Sequence, residues 1–407
     1  MIEAPIDLPC GVILKNRIVK SGLSEALGDL NNNPTNELIS IFKRWSDGGA
    51  SLLITGNIIV DRWHLEHAGN FVLDDSTDIK KTSELCNAAK SGGSLVLAQL
   101  SHAGRQTPEL INSEPLSISN LKLDLEGFGQ PRMALEKDFL DLVKKFSNSA
   151  RIAKQCGFDG VEIHAAHGYL LSSSLSPKIN NRSDKWGGSF ENRARFLQLI
   201  LQKVRATVGK SFIIAVKLNS SDFQKGGLEI SDSVKIAQLI EKENIDFIEV
   251  SGGNFEVPKA YQYISLKEST KNREAYFLEY AKSIKAAVSI PIMVTGGFRT
   301  KSVMEDALMS SSTDLIGIGR PFIIDPYFPK KLLSGDISEL PTIERQFPPL
   351  QDIPNGAVLN WFCDQLALQG KTGQGDLNIP LLDGHKRYLK QSDEMTRNLL
   401  DHRNNNK

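Results

Sequence analysis

Hydrophobic and polar positions alternate along this chain in two rhythms. Short apolar runs bounded by glycine or polar residues recur at Arg17–Lys20, Ser51–Thr55, Leu95–Leu100, Gly160–His164, Phe212–Leu218, Phe247–Ser251, Ile292–Thr295 and Leu315–Ile318. Runs this short and this apolar fit strands buried on both faces. Between them lie longer stretches of helical period. Leu38, Ile41, Phe42 and Trp45 repeat at i, i+3, i+4, i+7, as do Phe139, Leu142, Val143 and Phe146 before a stop at Gly157. A helix from Glu191 to Val208 precedes the fifth run, and one from Asn272 to Val288 carries Tyr276, Phe277, Tyr280 and Ile284 on one side. The alternation predicts an α/β protein, a (β/α)8 TIM barrel, which needs ~250 residues before insertions. An open doubly wound sheet is the rival arrangement.

With 407 residues the chain exceeds a bare barrel. The surplus falls in two places. Gln106 to Glu136, rich in Pro, Ser, Asn and Gly, reads as a lid-like excursion after the third strand. Residues 341–407 read as a C-terminal extension to a barrel over 1–340, with an apolar stretch Val358–Leu368 and a polar end, Asn404-Asn405-Asn406-Lys407, expected to be disordered.

Composition narrows the partners. Forty-eight basic residues balance forty-eight acidic ones, so no global field draws nucleic acid or an anionic membrane. A basic segment followed by an apolar run is missing near Met1, and no stretch is long and apolar enough to span a bilayer. Cys10, Cys86, Cys156 and Cys363 lie far apart without a CxxC, which argues against disulfides, a zinc site or an iron–sulfur cluster and favours a reduced, cytoplasmic setting. The expected partner is a small molecule, with self-association into a homo-oligomer left open.

Candidate chemistry gathers at the strand ends. After the fourth run, His164, His167 and Tyr169 put two imidazoles and a phenol in one glycine-containing turn, all hydrogen-bonding groups without an obligatory charge at neutral pH. A metal site on the two histidines lacks an evident third ligand. The loops after strands seven and eight of a barrel commonly bind phosphate. Here they carry Gly296-Gly297 and Gly319-Arg320, with backbone free to approach an anion and a guanidinium to grip it. Gln99 ends the third run with a carboxamide suited to an edge of alternating N–H and C=O groups; Lys217 ends the fifth with a cation; Ser24 follows the first.

These residues sit within longer motifs: Asn16-Arg17-Ile18, Gln99-Leu100-Ser101-His102-Ala103-Gly104-Arg105-Gln106, Gly157 to His164 with His167-Gly168-Tyr169-Leu170-Leu171, and Ser176-Pro177 through Asn192-Arg193. Over roughly the first 340 residues the chain resembles the Old Yellow Enzyme family of FMN-dependent NAD(P)H oxidoreductases. The resemblance implies a (β/α)8 barrel holding FMN by its phosphate at Gly296, Gly297, Gly319 and Arg320. It makes His164 and His167 the pair that binds the substrate oxygen and Tyr169 the proton donor. It places Gln99 on the flavin pyrimidine edge, Lys217 near N1–C2, Ser24 near O4, and the Gly56 backbone beside the ring. Ser24 stands where relatives often have threonine or cysteine, Lys217 replaces a more frequent arginine, and Trp186 a usual tyrosine.

The activity this implies is reduction of activated alkenes such as α,β-unsaturated carbonyls, with NAD(P)H as reductant. A dienoyl-CoA-reductase-like enzyme with an iron–sulfur cluster is disfavoured by the cysteine spacing. A flavin-binding redox sensor or storage barrel without turnover is the alternative, against which the His164, His167 and Tyr169 set weighs.

Overall fold

The computed structural model describes residues 1–256 and 274–405. All eight apolar runs are strands: β1 (Ile18–Lys20), β2 (Leu52–Ile59), β3 (Leu95–Ser101), β4 (Gly160–Ala165), β5 (Ile213–Asn219), β6 (Phe247–Ser251), β7 (Ile292–Thr295) and β8 (Leu315–Ile318). Neighbours pair in parallel around the sheet, and β1 pairs with both β8 (Ile316 beside Ile18) and β2 (Val19 beside Leu52). The sheet therefore closes. That excludes the open doubly wound rival, in which the first strand would lack one of these partners.

Side chains alternate between the two faces of each strand. Outward-facing residues such as Leu53, Val96, Ile163, Val216 and Val250 join the helices in one large core. Inward-facing Val19, Leu52, Ile54, Leu97, Ile213, Ala215, Phe247, Met293 and Leu315 fill the lower barrel, and Leu8 and Leu14 of an N-terminal hairpin plug its bottom. Higher up the lumen turns polar. Gln99 pairs with Glu162, and Lys217 pairs with Glu249 and His164.

The helices follow the expected periodicities where these are longest. Helix α1 (Asn36–Asp47) is capped by the Thr35 hydroxyl and buries Leu38, Ile41, Phe42 and Trp45. Helix α2 (Ile79–Lys90) packs beside it. Helix α3 (Glu136–Cys156) ends at Gly157 with φ +97°, a left-handed cap that favours glycine. Helix α4 (Phe190–Val208) packs on α3, and α5 (Ile230–Glu241) follows β5.

Helix α6 (Leu278–Lys285) is shorter than Asn272–Val288. Asn272 and Arg273 lie outside the described residues, and Tyr276 is drawn out of the helix because its N–H donates to the Gly296 carbonyl at 3.1 Å. Helix α7 (Lys301–Met309) leads to β8.

The excursion over residues 106–136 is packed onto the barrel. Leu116–Ser117 pairs with Arg132–Met133, and the Leu116 N–H donates to His64 Nε2 at 2.9 Å. Asp61, His64 and His102 cluster beneath it, where Lys145 sits 2.8 Å from Asp61 Oδ2.

The C-terminal residues form α8 (Ala357–Thr372) and α9 (Leu381–Asn405), which pack on each other and, through α8, on α1. Helix α9 runs through Asn404 and Asn405, so these two asparagines, expected to be disordered, are helical. Among the described residues no helix is long and apolar enough to cross a membrane.

Candidate active site

The C-terminal ends of the strands surround one cleft of about 1210 Å³, open to solvent. His164, His167, Tyr169, Gln99, Lys217, Ser24, Gly296, Gly297, Gly319 and Arg320 all line it. Residues read from six separate strand ends thus share one wall.

The turn after β4 sets the donor cluster. His167 adopts φ +61° and Gly168 φ +80°, so the chain doubles back and returns Tyr169 toward His164. A left-handed histidine is uncommon, and here its backbone N–H is held by Asn219 Oδ1 at 3.1 Å. The Tyr169 ring stands edge-on to His164 at 4.8 Å between centroids, and His164 to His167 at 5.2 Å.

Each imidazole has a defined environment. His164 Nδ1 accepts the Ala166 N–H at 3.3 Å, which puts the ring proton on Nε2 and makes that atom a donor. His167 Nε2 lies 2.8 Å from the Ser251 hydroxyl. Burial, with His167 and Lys217 nearby, holds His164 well below the ordinary histidine range. Burial and Lys217 push His167 down to about 3. Both rings are neutral at working pH.

Below them lies a charged throat. Lys217 Nζ is 2.9 Å from Glu249 Oε1, and Gln99 Nε2 donates to Glu162 Oε2 at 2.6 Å. Burial beside Glu249 drives Glu162 well above the usual carboxylate range. Burial opposes ionisation of Glu249 too, but Lys217 and the Glu162 hydrogen bond hold it low. Charge is therefore favoured on Glu249, beside Lys217, and disfavoured on Glu162. With Nε2 given to Glu162, Gln99 retains its carbonyl oxygen as an acceptor for a ligand.

The opposite end of the cleft carries two guanidiniums, those of Arg299 and Arg320. Gly296 and Gly297 take φ +130° and +90°, conformations that L side chains rarely adopt, and a Cβ there would meet Phe277 at 2.8 Å or the Ala275 nitrogen at 2.9 Å, respectively. Glu344 Oε1 receives both Arg299 Nη2 at 3.2 Å and Arg320 Nη1 at 3.1 Å, so two guanidiniums share that carboxylate, while the Glu274 carboxylate accepts from the Arg299 and Thr300 backbone N–H groups at 2.8 Å.

Residues 2–338 match the model of the NADH:flavin oxidoreductase / NADH oxidase family, which spans the whole barrel. The chain belongs to this family. It is an Old Yellow Enzyme-type flavin oxidoreductase, and FMN is the family cofactor. Among its relatives, the NADH-dependent flavin oxidoreductase nadA of Aspergillus parasiticus is 35% identical over 343 residues, covering 79% of this chain and 76% of the relative. The NADH-dependent flavin oxidoreductase iliE of Hypocrea jecorina is 35% identical over 353 residues, covering 81% and 88%. Two solved structures superpose closely. A 2-naphthoyl-CoA reductase in complex with 2-naphthoyl-CoA gives a TM-score of 0.77 at 27% identity, over 83% of this chain and 53% of that one. An old yellow enzyme homologue from Zymomonas mobilis gives 0.70 at 23% identity, over 86% and 97%, a likeness of fold.

Within this flavin oxidoreductase, Gly56 is the one expected site residue that does not line the cleft. It occupies a bulge in β2 between Ile54 and Asn57, its N–H donates to the Glu25 carboxylate at 2.9 Å, and a Cβ there would strike the Leu23 carbonyl at 2.0 Å. Its lack of a side chain answers a packing demand behind Leu23. Sequence reasoning missed Arg299, although it directly follows Gly296-Gly297-Phe298. It also missed Glu66, whose carboxylate accepts from the Tyr169 hydroxyl, from Asn57 Nδ2 at 2.7 Å and from the Ser24 hydroxyl at 2.7 Å. Leu359, Phe362, Cys363, Leu366 and Tyr388 of the extension complete the cleft wall, with no motif to announce them.

Proposed function

We propose that this oxidoreductase reduces the C=C bond of α,β-unsaturated carbonyls or similarly activated alkenes, with NAD(P)H as the electron source. The observation that carries the reading is the turn after β4, which presents two neutral imidazoles and a phenol together at the cleft. The likeness to a reductase whose name gives an aryl thioester as substrate supports a carbonyl-activated acceptor.

The residues present fit FMN. Two positive-φ glycines, Gly319 and the Arg299–Arg320 pair offer backbone N–H groups and two guanidiniums to a phosphate. The Gln99 carbonyl oxygen would accept from the flavin pyrimidine edge, Lys217 would lie near the N1–C2 locus, and Ser24 would lie near O4. The chemistry supplied by bound FMN is hydride transfer, drawn from NAD(P)H and delivered to the alkene β-carbon.

The chain does the rest. Charge that develops on the substrate oxygen is met by the His164 Nε2–H and by the His167 ring, donors already oriented before reaction. Because both imidazoles are neutral, they donate without surrendering a proton. Tyr169 supplies the proton to the α-carbon.

Anaerobic rapid mixing tests this. In Tyr169→Phe, flavin bleaching by NAD(P)H should stay within about twofold of wild type, while reoxidation by an enone slows ~100-fold or more. Equal loss in both half-reactions would remove Tyr169 from the proton-donor role. Wild-type protein that is bleached but never reoxidised by enones, enals or nitroalkenes would overturn the substrate class.

A further inference from the structure

Tyr169 is buried, and its hydroxyl donates to Glu66, so at rest its proton is held by a carboxylate rather than offered to a substrate carbon. A donor in that orientation needs a way to turn its proton toward the substrate and a source from which to recover it. We propose that Glu66 and His67 form a proton relay to Tyr169 that is supplied from a second cleft. The inference rests on the reading of Tyr169 as proton donor.

The geometry places the groups in sequence. His67 Nε2 lies 3.7 Å from Glu66 Oε1, the same oxygen that accepts from Tyr169. His67 Nδ1 lies 3.5 Å from the Tyr388 hydroxyl. The Glu66 side chain is 7% exposed, whereas that of His67 is 26% exposed. A burial gradient thus runs from solvent through His67 to Glu66 and Tyr169.

The outer end of this line opens elsewhere. His67, Cys363 and Tyr388 line both the main cleft and a second one, whose remaining wall includes Glu25, Lys371 and Gln391. These three residues partition the two spaces. Water can reach His67 from the second cleft while a substrate occupies the first.

The proton balance is as follows. His67 passes a proton, replaced from water, to the Glu66 carboxylate. The protonated carboxyl now donates to the phenol oxygen, reversing the resting hydrogen bond and freeing the Tyr169 proton to face the cleft. As the α-carbon–hydrogen bond forms and the Tyr169 O–H bond breaks, the Glu66 proton moves to the phenol oxygen. Glu66 returns to carboxylate, and no phenolate accumulates beside it. Asn57 and Ser24 donate to Glu66 throughout and fix the carboxylate in place.

Glu66→Gln keeps a hydrogen-bonding partner for Tyr169 but cannot pass a proton. The holoenzyme variant should bind FMN and be bleached by NAD(P)H as wild type, yet be reoxidised by an enone at least ~10-fold more slowly. Its solvent isotope effect on reoxidation should drop from a multi-proton to a single-proton dependence on deuterium fraction. His67→Ala should show the same slowing, relieved by added imidazole. Glu66→Gln reoxidised at the wild-type rate with an unchanged proton inventory would overturn the relay and leave Glu66 a residue that only holds Tyr169. His67→Ala slowed without imidazole rescue would remove His67 from the path. Wild type that no alkene reoxidises would overturn the proposed function and this inference with it, whereas active wild type with unaffected variants overturns the relay alone.

Discussion

At the residue scale, Arg320 illustrates how a charge is kept available in a cleft. Its guanidinium is not left to fold back on itself, because Glu344 holds it at 3.1 Å while also engaging Arg299. One carboxylate orients two cations without neutralising both. Loss of one charge-assisted hydrogen bond to phosphate costs about 1.5–3 kcal/mol. Arg320→Met should therefore weaken FMN binding about 10- to 100-fold, read from quenching of flavin fluorescence on titration of apoprotein; unchanged affinity would show that Arg320 does not reach the phosphate. The sequence exposed Arg320 and the Gly296-Gly297 pair because phosphate loops have a local signature after specific strands. Glu344 had none, since its role depends on a fold-back from residues that carry no motif. Gly56 shows the converse: a glycine legible as a backbone-to-ligand approach serves a bulge and a close carbonyl contact.

At the scale of elements, the strands were legible because each is apolar on both faces and bounded by turn residues. The partnership of α8 and α9 was not, because it depends on pairs far apart in sequence. Trp361 is fully buried, its Nε1–H donates to the Ile379 carbonyl at 2.9 Å, and its ring meets Phe347 and Phe362 edge-on. Gly384 on α9 lets the helices approach: a Cβ there would sit 2.5 Å from Trp361 Cδ1. The same helices supply Phe362, Cys363 and Tyr388 to the cleft. Gly384→Val should push the pair apart and cost about 1–3 kcal/mol by overpacking. It should also raise KM for the alkene more than it lowers flavin bleaching by NAD(P)H. A lower denaturation midpoint with unchanged KM would mean that the extension stabilises the barrel without shaping its substrate side.

At the scale of the whole molecule, the buried histidines tie stability to pH in a direction that can be worked out. His102, His164 and His167 are all held below the ordinary value of 6.5, by burial first and then by a neighbouring group (His64, His167 and Lys217 respectively), His167 to about 3. In the unfolded chain each binds a proton below about 6.5, while the folded chain refuses it. The unfolded state then binds more protons, so stability falls as pH drops from about 6.5 toward 3 and is fully present above that window. Between pH 7 and pH 5 His167 should cost roughly 2 kcal/mol, and His102 and His164 act in the same direction. Asp61, held low by His64, His102 and Lys145 despite burial, adds its own loss only at lower pH, below the carboxylate's ordinary value of 3.8. The two contributions are thus separable by pH. A His164→Asn, His167→Asn double variant should show a shallower decline between pH 7 and pH 5, measured from denaturant midpoints. Whatever its activity, it should be relatively more resistant to mild acid than the parent. An unchanged pH slope would mean that His164 and His167 accept protons freely in the folded state. They could not then act as the fixed neutral donors on which the proposed alkene reduction depends.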